Sequence, residues 1–560
     1  MRAAPRVVVT GPPRVPATWA LAGRARDVGG AHAMVVSGHP LASAVGVAIL
    51  RQGGNAIDAA VAVGFALAVV LPRAGNIGGG GFLLYRDAVG QVSALDYRET
   101  APAGATRDMY VDAAGNVSAA SVTGHLASGV PGSVAGLYEM WKTYGRLAWP
   151  ALLAPAIRLA DGHTIDSARS SDISGEVARL RLFPASASQF LAGDRALPAG
   201  TLWRKPDLAR TLRLIAHSGA AAFYEGRIAG LIADEMARGG GLVTRDDLRR
   251  YRAKWRTPIA LSYGGRTVYS MAPSSSGGIT LGLMLNMMEG YDTLPAFGTA
   301  AQVHVAAEVM RRAFIDRNRY LGDPDFVALP VERLLSKAYA AQLRAGIEPH
   351  RATPTTALSG AGGGSEREQT THYSIVDPAG NAAAVTTTLN GSFGSAVTVA
   401  GAGFVLNDEM DDFTSAPGRP NQYDLVQGDA NAIAPGKRML SAMTPSIILD
   451  ERGQLLMILG TPGGATIITT VFQVISDVLD HAMPLWDAVG APRIHHQALP
   501  DVIRYEPGGL AAATVDSLRA MGHAVLERTE YSGDVAAIMR CPEGWIGVAD
   551  PRGGGGAMGW

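Results

Sequence analysis

The sequence predicts an α+β chain in which an antiparallel sheet is backed by helices. Three observations carry this. Four strand-like segments, "THYSIVD", "NAAAVTTTL", "TPSIILD" and "QLLMILG", follow one another after residue 369. A helical segment, "ATIITTVFQVISDVLDHA", comes next. Strands joined by short turns and then covered by a helix make a sheet with a helical layer. Upstream, from about 130 to 350, helical patterns dominate.

Taken in order, residues 1–30 are rich in Pro and Arg and are expected to be flexible or loosely attached. "GGNAIDAAVAVGFALAVV" (53–70) has helical composition without β-branched dominance and reads as a core helix. Its apolar run, Ala59 to Leu71, is too short to span a bilayer and follows Asp58. "NIGGGGFLLYRDAVGQVSALDYRE" (76–99) reads as a glycine-rich loop and then a hairpin turning at Asp87 to Gln91. The helical patterns that follow include "GSVAGLYEMWKTYG", "WPALLAPAIRLADG", "PDLARTLRLIAHSG" and "AAQVHVAAEVMRRAFIDRNRYLG". "LSYGGRTVYSM" (261–271) reads as another hairpin. The stretch 351–369, "RATPTTALSGAGGGSEREQ", breaks the helical pattern and has the composition of a linker or exposed loop.

Bulk composition narrows the function. The 560 residues are 47% hydrophobic, enough for a sizeable core. Lys+Arg and Asp+Glu are both 49, so neither nucleic acid nor a membrane is expected as a partner. The single cysteine, Cys541, excludes an intrachain disulfide and a Cys-based metal site. His495 and His496 are neighbours on an extended segment and point opposite ways, so one shared ion is not expected. No metal and no cofactor is expected. The N-terminus lacks an apolar h-region, so no signal peptide is read and the expectation from this alone is a cytoplasmic protein.

The residues that can carry chemistry begin at the linker's end. In "TTHYSIVDPAGNAAAVTTTLN", the turn "DPAGN" suits a tight hairpin. Centred on Ala379, it sets Val376 opposite Ala382, Ser374 opposite Ala384 and Thr370 opposite Thr388. Two readings stay open here. Threonines are common in hairpins. Alternatively, a cut between Gln369 and Thr370 would give Thr370 a free α-amino group, a base of pKa about 7.7–8.0 beside its own hydroxyl. In "LGTPGGATIITTV", Gly463 and Gly464 lie between a strand end and a helix start. They are an ordinary turn or a pair of N–H donors for an oxyanion. "NDEMDDF" offers Glu409 and Asp412, acids that suit an ammonium and lack calcium-loop spacing. Arg98 in "DYRETAP" is either exposed or a two-pronged carboxylate donor.

At these residues the chain closely resembles the γ-glutamyltransferase (γ-glutamyltranspeptidase) family of N-terminal-nucleophile hydrolases. The resemblance runs from about residue 30 to the end. It rests on ordered blocks that include "GGGGFLLY", "DYRETAPAGATRDMY", "PSSSGGI", "DRNRYLGDPDFV", "QTTHYSIVD", "LNDEMDDF", "GDANAIAPGKR" and "TPGGATIITTV". It implies a four-layer αββα sandwich, with an added helical part in the large subunit. It also implies a precursor that cuts itself into a large subunit, 31–369 behind the segment 1–30, and a small catalytic subunit, 370–560.

By the same resemblance Thr370 is the nucleophile, Thr388 its hydroxyl partner and Asn390 a substrate contact. Gly463 and Gly464 form the oxyanion hole. Arg98 and Ser441 hold the α-carboxylate of a γ-glutamyl unit, and Glu409 and Asp412 hold its α-ammonium. Tyr423 tips a lid loop. The implied partners are a small γ-glutamyl donor and an amino acid, peptide or water as acceptor. A periplasmic or secreted location is implied as well. One position departs: Ala442 follows Ser441 where many members carry a second serine. That leaves open a related acylase or amidase of different acyl specificity, like a glutaryl-cephalosporin acylase or a secondary-metabolism homologue; a non-enzymatic homologue is the third reading, and the Thr370, Thr388 and Gly463–Gly464 set argues against it.

Overall fold

The structure is a computed structural model that describes residues 8–113, 115–357, 370–415, 419 and 421–560. Two seven-stranded sheets form its centre. In chain order the strands are β1 (Arg26–Gly30), β2 (Met34–Ser37), β3 (Gly80–Arg86), β4 (Val92–Asp96) and β5 (Lys254–Arg256). Next come β6 (Ile259–Tyr263), β7 (Arg266–Ser270), β8 (Thr371–Val376), β9 (Ala382–Thr388) and β10 (Ser446–Leu449). β11 (Leu455–Gly460), β12 (Ala536–Cys541), β13 (Gly544–Ala549) and β14 (Gly556–Gly559) complete the set. The first sheet runs β5-β4-β3-β9-β8-β2-β14 and the second β6-β7-β10-β11-β12-β13-β1. Neighbours in both are antiparallel.

Successive side chains on a strand point to opposite faces, and here both faces of each sheet are buried. Met34, Val36, Phe82, Leu84 and Ala384 of the first sheet meet Ile447, Ile458 and Ile538 of the second between the two. Their strand neighbours Val35, Leu83, Tyr85, Tyr373 and Val385 pack outward under the helices α1 (Pro40–Arg51) and α2 (Ala56–Val70). On the far side Ile448, Met457, Leu459 and Ala537 pack under α3 (Gly277–Met288), α4 (Ala300–Tyr320) and α5 (Thr466–Leu479). The order helix, sheet, sheet, helix is the expected four-layer sandwich. Every residue of α2 is buried, so the apolar run 59–71 is a core helix. Among the described residues no helix is long and apolar enough to cross a membrane.

One expectation needs correction. Residues 8–30 are not loosely attached. β1 is the edge strand of the second sheet, paired with β13. Val8–Thr10 pairs in parallel with Thr293–Pro295. The buried Trp19 donates its indole N–H to the Gly490 carbonyl at 2.8 Å. The physical reason is that β13 offers an unpaired row of backbone groups, and a segment as poor in β-formers as "RDVGG" satisfies it through its backbone alone.

Candidate active site

The site is built on the β8–β9 hairpin. The Asp377 carboxylate fixes its turn by accepting from Ala379 N (2.9 Å), Asn381 N (3.0 Å) and Asn381 Nδ2 (2.7 Å). The same carboxylate accepts from Ala56 N at the start of α2, which ties the hairpin to the helical layer. The register is the one centred on Ala379, with Val376 opposite Ala382, Ser374 opposite Ala384 and Thr371 opposite Thr387. One residue before β8, the Thr370 hydroxyl donates to Thr388 Oγ1 at 3.2 Å. Thr388 Oγ1 also accepts from Asn390 N at 2.8 Å. Both threonines are buried. Gln369, with the linker part 358–369 and hence the expected cut, lies outside the described residues.

His372 shares a strand face with Thr370, two residues further along the chain. It is not a base for that hydroxyl. Its ring nitrogens are taken by Thr386 Oγ1 (2.8 Å) and Ser374 Oγ (3.1 Å), and burial pulls its pKa down to about 3.

A narrow cleft opens on Thr370. Thr388, Asn390, Tyr423, Ser441 and Gly464 line it, together with Arg98 and Asp412. Glu409 reaches the cleft only through Arg98, and Gly463 sits one residue back from its wall. Gly464 has φ +53°, and a Cβ there would come within 2.7 Å of the Tyr423 ring, so glycine is required on both counts. The loop Gly463–Gly464 leads into α5, with Thr466 N donating to Gly463 O at 3.0 Å. The Tyr423 hydroxyl donates to Asn390 O at 2.9 Å, which holds its ring over the cleft. Residues 416–418 and 420 of the expected lid loop lie outside the described residues.

Arg98 is 1% exposed and meets three carboxyls. Its Nη1 is 2.5 Å from Glu409 Oε2 and 3.6 Å from Glu99 Oε2, and its Nη2 donates to Asp412. The Glu409 contact is an ion pair outside hydrogen-bond geometry, and both Glu409 oxygens lack a hydrogen-bond partner. Burial pushes the Glu409, Asp412 and Glu99 carboxyls up, and Arg98 only partly pulls them back. Arg98 in contact and Arg317 at longer range together do not offset the burial of three carboxyls. The cluster therefore favours an added cation.

Ser441 Oγ accepts from Met443 N at 3.1 Å, and its carbonyl accepts from Ser276 N and Oγ at 2.7 and 2.6 Å. Ala442 sits beside it in the wall.

Sequence reasoning missed two residues here. Glu99 stands next to Arg98 in the quoted "DYRETAP". Arg317, in "DRNRYLGDPDFV", lines the cleft from α4. A charged residue on a helix face carries no signal that it is buried. His495 and His496 do face different partners. His495 meets Thr469 and Gln497, and His496 meets Asp501 and Ala498 N.

A sandwich with a threonine at the head of a central strand, facing a second hydroxyl and a Gly–Gly turn, defines a hydrolase of the N-terminal-nucleophile class. The Gamma-glutamyltranspeptidase family profile matches residues 42–560. The chain belongs to that family. It is 45% identical over 527 residues to the glutathione hydrolase proenzyme of Escherichia coli (strain K12), covering 93% of this chain and 90% of that one. The structure is similar to cephalosporin acylase from Bacillus halodurans, with TM-score 0.83, 28% identity and coverage of 96% and 97%. It is also similar to Helicobacter pylori gamma-glutamyltranspeptidase, with TM-score 0.56, 45% identity and coverage of 59% of this chain and 94% of that one.

Proposed function

We propose that this enzyme is a γ-glutamyl hydrolase and transferase that opens the γ-glutamyl amide bond of glutathione-like donors. The observation that carries this is a single cleft lined both by the buried Thr370–Thr388 pair and by Arg98 and Asp412, with Glu409 against Arg98. The excess of carboxyls there suits an α-ammonium, which a γ-glutamyl unit has and a glutaryl unit lacks. The chain is a precursor of two subunits, and the cut falls between Gln369 and Thr370. The new α-amino group takes the Thr370 proton as Oγ1 attacks the γ-carbonyl carbon. Gly463 and Gly464 N–H groups stabilise the oxyanion. The amine leaves with a proton, and the ester on Thr370 passes to water or to an amino acid or peptide. Tyr423 covers the acyl group meanwhile.

Denaturing gels should show pieces of about 38 and about 20 kDa, the 58.2 kDa chain divided by length. The smaller should begin TTHYS. Thr370→Ala should leave one full-length, inactive band. The decisive experiment for the acyl group compares kcat/KM for γ-glutamyl-p-nitroanilide and glutaryl-p-nitroanilide. A preference for glutaryl would establish instead the acylase reading, which Ala442 and the likeness to a cephalosporin acylase favour.

A further inference from the structure

A second cleft lies at the turn end of the β8–β9 hairpin, where the layer between the two sheets meets solvent. Residues 377–380 of that turn line it, with Leu455 and Trp545 from the other sheet. Its charged lining is basic: Arg86, Arg540 and His32. Asp377 is the one acid among the described residues that line it. The Asp377 oxygens already accept from Ala379 N, Asn381 N, Asn381 Nδ2 and Ala56 N. Glu543, in the turn between β12 and β13, does not line the cleft.

Arg86 is out of place by residue type. β3 turns Phe82 and Leu84 into the apolar layer between the sheets. Two residues on, the same face presents Arg86. It is 8% exposed. Its hydrogen bonds go to carbonyls, Asp87 O at 3.2 Å and Gly453 O at 3.4 Å, and its Nε is buried without a partner. Arg540 is exposed, and its guanidinium lies 5.8 Å from the ring centroid of Trp545, its cross-strand neighbour. Among the described residues neither guanidinium forms an ion pair. A guanidinium buried this far without an anion costs free energy, which a bound anion recovers through charge-assisted hydrogen bonds.

We propose that this cleft binds a small polyvalent oxyanion, with Arg86 as its buried anchor and Arg540 at its rim. Phosphate and small polycarboxylates share the required chemistry. The cleft has no lining residue in common with the one at Thr370. The inference therefore holds whichever acyl group the enzyme takes.

The chain's single cysteine, Cys541, lines the same cleft and supplies the readout. Alkylation of the purified protein by iodoacetamide is followed by mass spectrometry at fixed pH. The buffers contain inorganic phosphate, citrate or sodium chloride at one ionic strength, so that chloride controls for screening. Phosphate or citrate should slow alkylation of Cys541 fivefold or more, with saturation, and should raise Tm. Chloride should do neither. The oxyanion that protects at the lower concentration separates a phosphate ligand from a carboxylate one. Arg86→Gln should abolish the protection, Arg86→Lys should restore part of it, and Arg540→Gln should weaken it several-fold. Turnover of an anilide donor reports folding of each variant. If Arg86→Gln does not fold, the exposed Arg540→Gln carries the comparison with wild type, and if Cys541 does not react, the Tm shift decides. Equal effects of chloride and the two oxyanions, or protection unchanged in the folded variants, would overturn the inference.

Discussion

Two buried ion clusters in this molecule are built on opposite principles. In one, Arg552 donates to both Glu506 oxygens at 2.7 Å and to Asp550 at 3.1 Å, and Arg493 donates to Asp550 at 2.5 Å. Backbone amides of Arg493, Ser532 and Val535 fill the remaining acceptor positions. Two guanidiniums face two carboxylates, and every carboxylate oxygen is hydrogen-bonded. Burial pushes Asp550 up, but Arg493 and Arg552 more than offset this and hold its pKa below the usual carboxylate value. In the other cluster Arg98 faces Glu99, Glu409 and Asp412, and the oxygens of Glu99 and Glu409 lack hydrogen bonds. There burial wins and the carboxyls are held up. The lesson is that burial of charge is not the mark of a site. A satisfied cluster holds the fold, whereas an unbalanced one facing a cleft is arranged for a ligand.

The largest effect should come from breaking the satisfied cluster. Arg552→Ala leaves Glu506 and Asp550 short of their partner and should cost about 3–5 kcal/mol of stability. A fall in Tm and in yield of processed protein would show it. Unchanged stability would erase the distinction between the clusters.

Asp412→Ala should act the other way, on turnover rather than on the fold. On the proposed reading it removes a charge-assisted partner of the substrate head, so kcat/KM for a γ-glutamyl donor should fall about 10²-fold or more. Tm should fall far less than in Arg552→Ala, because the variant relieves an excess of buried acids. A glutaryl donor should respond little. Equal loss for both donors would assign Asp412 to the scaffold.

The two clusters should also carry opposite pH signatures. The raised carboxyls bind protons more tightly in the folded state, so they favour folding at low pH, and this is lost as pH rises from about 4.5 towards the Glu99 value of about 8. Asp550 is lowered, so its contribution is present above about 3.9 and is lost as pH falls below it. A ligand ammonium would compensate the first group. Protection of Tm by a γ-glutamyl ligand should therefore grow between pH 5 and 8. Thermal-shift titrations at both ends check this, and protection that shrinks over the range would contradict it.

The smallest effect belongs to Ala442→Ser. It adds one hydroxyl beside Ser441 and should lower KM for a γ-glutamyl donor several-fold, within the about 1.5–3 kcal/mol of a hydrogen bond to a charged group. A higher KM would mean that the methyl fits a different acyl group.

How much of this was legible in the sequence depended on whether the determinant was local. The hairpin register was legible because "DPAGN" sets its own turn within five residues. The acids of "NDEMDDF" were legible as a cation-binding group because they are adjacent. Arg98 was legible as a two-pronged donor, but not that Glu409 and Asp412 already engage it from more than 300 residues away. Arg317 was not legible as part of the cleft, because its burial depends on Ser276 and on a helix packed from another part of the chain. The attachment of residues 8–30 was hidden for a similar reason: backbone pairing to β13 leaves no trace in side-chain pattern.

The central claim is that Thr370 carries the acyl group in a cleft built for an amino-acid head. The most direct measurement is peptide mapping by mass spectrometry after brief exposure to γ-glutamyl-p-nitroanilide and an acid quench. A γ-glutamyl ester on the peptide that begins at Thr370, absent from Thr370→Ala, is the predicted result. An acyl group on another residue, or rapid release of p-nitroaniline by a chain that still begins before Thr370, would contradict it.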